Sequence, residues 1–82
     1  MTRPTMIDNA IQILSAAIDE SPFDYMLFME RGKLFHQKGK FDLAMNDFRR
    51  AAEINPGNKE AEAYIELITE ILNYRYKDIY NP

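Results

Sequence analysis

Side chains able to do chemistry are scarce in this chain. His36 is its single histidine and there is no cysteine, so a zinc site would have to combine His36 with carboxylates. Glu30 lies six residues before it and Asp42 lies across a turn, with no ligand type four residues away on the same helical face. Ser15 and Ser21 have no base nearby in sequence and no glycine-rich elbow to present a nucleophile. No glycine pattern that cradles a phosphate or a dinucleotide occurs. The carboxylate pairs Asp19-Glu20 and Glu60/Glu62 fall at predicted helix ends, where dipole and solubility roles account for them. The residues therefore predict a non-enzyme with no metal and no cofactor.

Binding is the remaining class, and charge narrows it. Ten basic residues against thirteen acidic ones give a net charge of −3. Arg49-Arg50 and the lysines Lys38 and Lys40 around Gly39 make one local basic patch. Acidic residues are interspersed throughout, however, so no nucleic-acid partner is expected. The 82 residues allow one domain with a small core, since chains of this size bury only about 60% of their unfolded surface. A large enclosed substrate cavity is excluded. A charged fraction of 28% with 12% aromatics is that of a folded chain. No apolar run approaches the roughly 18 residues of a membrane span. Met1-Thr2-Arg3-Pro4-Thr5 leads into a mixed stretch rather than a signal-peptide core. The expectation is a cytoplasmic protein with no membrane partner.

Four helices must position whatever surface does the binding. Pro22, Gly39 and Pro56-Gly57 divide the chain into stretches with apolar residues three and four apart, the helical period. No stretch alternates with period two, so the fold class is all-α. The first helix runs from about Met6 to Asp19, with Thr5 and Asp8 spaced as a capping box. Its apolar set is Ala10, Ile11, Leu14, Ala17 and Ile18. The second runs from about Tyr25 to Lys38, capped by Asp24 and stopped at Gly39. The third spans about Asp42 to Ile54, and the fourth starts after Asn58 and continues to about Lys77.

The most specific signal is internal repetition. Ala10, Leu14, Ala17 and Pro22 recur 34 residues later as Ala44, Phe48, Ala51 and Pro56. Such a period indicates stacked helical hairpins. Small residues at Gly32, Ala44 and Ala51 let paired helices approach, while Phe28, Phe35 and Phe48 fill the space around them. The segment from Tyr25 to Asn58 resembles a tetratricopeptide repeat. Phe28, Gly32, Phe35, Ala44, Phe48, Ala51 and Pro56 stand at seven of the eight signature positions of that family. The eighth expects an apolar residue and holds Arg31, whose stem can lie over apolar surface with its head in water.

The resemblance implies one domain over 1–82. Residues 6–20 are the second helix of a partial repeat, 25–58 a complete repeat and 59–78 a C-terminal capping helix, in a right-handed stack of about four antiparallel helices. In the fourth helix Glu62, Glu66 and Thr69 take the place of the residues that would pack a following partner, as an end-cap requires. Ala61, Ile65, Ile68 and Leu72 form the stripe that docks on the middle repeat. A further stripe, Tyr64, Leu67, Ile71 and Tyr74, widens the apolar arc to roughly 200°, about twice what a surface helix needs. At positions that face the concave side in this family, the second helix carries Met26, Met29, Lys33, His36 and Gln37. Together these form a groove with an apolar floor, adaptable methionines and one basic edge, suited to a peptide or protein segment. Some members of the family hold a chaperone's C-terminal carboxylate with concave Lys, Asn and Arg residues. Met29 and Lys33 on the second helix of this chain, and Ala63 and Leu67 on the fourth, stand where such residues would be wanted, so that clamp is not matched.

Three readings of the Tyr64 stripe stay open: partner groove, self-interface of a homodimer, or core. One and a half repeats fall short of the three or so that such stacks usually need. The first helix lacks its partner, leaving Ile11 or Ile18 available to a second copy. In the tail, Tyr76 and Ile79 are expected to complete the docking stripe, with Tyr80 folding back on the helix. The function expected is protein–protein interaction through the concave groove, with self-association as the alternative.

Overall fold

A computed structural model describes residues 3–80, with side chains described for residues 3–74. It contains four helices, α1 (Met6–Glu20), α2 (Tyr25–Gln37), α3 (Phe41–Ile54) and α4 (Lys59–Tyr80), and no strand among the described residues. The expectations for Tyr76, Ile79 and Tyr80 lie outside the described side chains.

Local chemistry sets the helix ends. The Thr5 hydroxyl accepts from the Asp8 N–H, and the Asp8 carboxylate accepts from the Thr5 N–H and hydroxyl, closing the capping box. Asp24 accepts from the Met26 N–H and Asn58 from the Ala61 N–H, so α2 and α4 begin where sequence placed them. After α2, Gly39 takes φ +74°. Its N–H reaches the His36 carbonyl, and the Lys40 N–H reaches that of Phe35, the paired bonds of a Schellman ending. At Pro56-Gly57 the second residue has φ +86°, and the Asn58 N–H closes on the Asn55 carbonyl, as a type II turn requires. The fourth helix runs three residues beyond the expected Lys77, because no glycine or proline interrupts it until Pro82.

Neighbouring helices run antiparallel. Asp8 meets Lys38 and Ser15 meets Arg31, so contacts descend α2 as they climb α1. Helices α2 and α4 run parallel, with Lys33 against Glu60 and His36 against Tyr64. The core lies where α2, α3 and α4 converge on Ala44, Phe48, Ala51, Ala61 and Ile68, all fully buried. Ile65 and Leu72 pack on this cluster, so the predicted docking stripe of α4 faces inward. A Cβ added at Gly32 would come within 2.9 Å of Phe48 Cε1. The glycine is thus required by the approach of α2 to the Phe48 ring.

Two sequence expectations are corrected here. The Arg31 head is not left to water but is held by a buried partner. Its Nε and Nη2 donate to the two Asp47 carboxylate oxygens at 2.9 and 2.7 Å, and Nη1 donates to Ser15 Oγ at 3.1 Å. Asp47 is buried, at 4% exposure, so the pair replaces the apolar contact expected at that position. On α1, Ile18 is buried against α2 and Ile11 is half-buried; the open face belongs to Ile13, 70% exposed, and Met6.

Candidate interaction groove

The face that sequence assigned to binding is formed by the parallel helices α2 and α4. Of the residues that sequence assigned to it, the structure brings some to the surface and draws others into the core. Leu67 (44% exposed) and Tyr74 (69%) are open on α4, and Met26 (60%) is open on α2. Ile71 is half-buried beside them. Met29 is a correction: at 3% exposure it belongs to the core cluster and offers almost no contact area. It packs inward with the core cluster, and only its edge borders the cleft beside Met26.

Tyr64 joins the two environments. Its ring stacks on Phe48, with centroids 4.4 Å apart and planes 7° from parallel. His36 approaches edge-on, 5.5 Å from Tyr64 and 5.3 Å from Phe41. The His36 ring is thus an aromatic spacer between α2, α3 and α4. Its Nδ1 is buried without a hydrogen-bond partner among the described residues. The stripe read as one unit in the sequence is therefore divided. Tyr64 seals the core with one face, while Leu67 and Tyr74 extend away from it.

The basic edge expected at Lys33 is also corrected. Its Nζ stands 3.2 Å from a Glu60 carboxylate oxygen and 3.7 Å from one of Glu30. Burial pushes the ammonium pKa down, but the Glu60 hydrogen bond and the charges of Glu60 and Glu30 outweigh it and raise the pKa overall. The charge is therefore held and neutralised. The basic patch around Gly39 is answered in part as well, since Lys38 bonds Asp8 and Arg50 pairs with Glu53.

Two shallow clefts lie on this face, the first between α2 and the start of α4 and the second on α4 alone. One, of about 210 Å³, is lined by Tyr25, Met26, Met29, Glu30, Asn58 and Glu60. The other, of about 300 Å³, is lined by Glu60, Ala63, Tyr64 and Leu67. Glu60 borders both. Among the described residues no group of three or more His, Cys, Asp or Glu side chains is placed to hold a metal ion. Among them, too, no helix is long and apolar enough to cross a membrane.

Sequence reasoning missed two features. The Arg31–Asp47 pair was signalled by an arginine at an apolar signature position and by an acid 16 residues on, in the facing helix. The neutralisation of Lys33 was not signalled, because Glu60 comes from a different repeat.

The sequence model of the tetratricopeptide repeat matches residues 27–58. No curated protein and no solved structure gives a significant match. Tetratricopeptide repeats are in general protein–protein interaction modules and are typically non-catalytic. The four-helix stack and the glycine under Phe48 agree with the matched segment, a tetratricopeptide repeat at the centre of the chain.

Proposed function

We propose that the chain is a non-catalytic binding module whose concave groove holds a peptide or protein segment between α2 and α4. The observation that carries this is the exposure of Met26 and Leu67 in two clefts that Glu60 borders, with the open Tyr74 further along α4. Large apolar side chains left open in a row mark a contact surface more often than a solvated one. Tyr64 and His36 act here as the wall that fixes groove width, and Lys33 as the tie between α2 and α4. Ile71 and the edge of Met29 contribute floor. Replacing Met26 and Leu67 by Ser tests this against a display library of short random peptides. Peptides selected on the wild type should lose binding to the double variant, with its helical circular dichroism and thermal midpoint close to wild type, as for exposed positions. Selected peptides that bind both proteins equally would place the contact elsewhere.

A second reading rests on α1. Ala44, Phe48 and Ala51 are fully buried, whereas Ala10, Leu14 and Ala17, 34 residues earlier, are half-buried beside the open Ile13. This favours self-association through α1 rather than through the α4 stripe. Light scattering after size exclusion tests it. A mass at twice 9.6 kDa that falls to one chain in Ile13→Glu supports it, and one chain throughout refutes it.

A further inference from the structure

We infer that the segment held in the groove is basic as well as apolar, with a lysine or arginine placed between its apolar anchors; this rests on the groove reading above. Glu60 stands on the border of both clefts. Its side chain is 55% exposed and that of Glu30 is 60% exposed, so two carboxylates face the groove with room for a further donor. Lys33 lies within ion-pair distance of both and answers one of the two charges.

Lys59, next to Glu60, is a second cation and exposed, but Glu62, Glu66 and Glu70 are exposed on the same helix and keep its balance negative. On α4, Glu70 is exposed three residues after Leu67 and four before Tyr74, which makes it a surface neighbour of both open apolar side chains. The opening turn of α4 would itself attract an anion, but Glu60 and Glu62 already occupy it. Apolar contact area bordered by carboxylates that Lys33 answers only in part is complementary to a cationic, amphipathic segment and repels an acidic one. The groove is thus of opposite sign to one that recognises a terminal carboxylate.

The test uses matched short peptides carrying two Leu or Phe anchors at several spacings. Each is made in a form with Lys between the anchors and in a form with Glu, and binding to the full chain is read by fluorescence anisotropy. For exposed carboxylates each ion pair contributes modestly. Reversing one peptide charge against two of them should therefore change Kd by about fivefold to tenfold, and added salt should shrink the gap. In Glu60→Gln the preference should fall to about twofold or less, with circular dichroism confirming the fold. Lys and Glu forms that bind equally, and are both lost in the Met26→Ser, Leu67→Ser protein, would overturn the basic-partner inference and leave the groove standing. A Lys preference unchanged in Glu60→Gln would also overturn it. If no peptide of either form binds at any spacing, the groove reading fails and takes the inference with it.

Discussion

Replacing Arg31 by Leu restores the apolar residue that the repeat signature expects, and the structure predicts that it destabilises the protein. The guanidinium makes two charge-assisted bonds to Asp47 and one to Ser15. The Asp47 bond first, and the charges of Asp47 and Asp19 after it, raise the Arg31 pKa against the opposing effect of burial. The Asp47 side chain is 5% exposed and that of Arg31 22%. Removing Arg31 strands a buried carboxylate, a change that costs about 3–5 kcal/mol in closed sites. The partly open guanidinium side places the expected loss near the lower end, about 3 kcal/mol. At about 4–8 °C per kcal/mol for a domain of this size, Tm should fall by roughly 12–24 °C. Urea unfolding followed by helical circular dichroism measures the loss directly. The double variant Arg31→Leu, Asp47→Leu should recover to within about 1 kcal/mol of wild type, since an apolar pair of similar volume often replaces a buried ion pair without loss. A single variant that loses less than about 1 kcal/mol, or a double variant no better than the single, would refute the reasoning.

Gly32→Ala should destabilise by about 1–3 kcal/mol even though alanine is the better helix former. The added Cβ meets the Phe48 ring, which is fully buried and already stacked on Tyr64, and thermal denaturation reads the loss. For pH, the Lys38 hydrogen bond first, and the Thr5 N–H and hydroxyl after it, lower the Asp8 pKa from 3.8 to about 2. A depressed folded-state pKa gives stability that is present above the unfolded value and lost as pH falls through the folded one. The Asp8 contribution should thus hold from neutral pH to about 4 and disappear between about 4 and about 2. Asp8→Asn should flatten that part of the profile, and an unchanged acid limb in the variant would contradict the assignment.

The features legible in sequence are those set by neighbours along the chain. Thr5, Asp24 and Asn58 announced their helix starts because a cap needs only the next three residues. Gly32, Ala44, Phe48 and Ala51 announced the core because their spacing repeats. The groove was legible only by register. Met29 and Leu67 lie on the nominal concave side of their helices, yet one is core and the other open, since burial depends on how α2 leans against α3 and α4. Lys33 read as a free cation because its partner Glu60 lies 27 residues away on a helix that merely stacks beside it. Likewise the exposed isoleucine of α1 is Ile13, not Ile11 or Ile18, because the side of α1 that α2 covers is fixed by the Arg31–Ser15 and Lys38–Asp8 contacts.

The stacked rings of Tyr64 and Phe48 also equip the protein with an optical probe of its own. The chain has no tryptophan, so its near-ultraviolet circular dichroism comes from tyrosine and phenylalanine. Tyr64 is held nearly parallel over a fully buried ring and gives a chiral signal that a freely rotating phenol does not. Because the same residue lines the cleft beside Leu67, an occupant that shifts it alters that signal without any label being attached. Occupancy of the groove and integrity of the core are thereby read in one spectrum, from opposite faces of a single side chain.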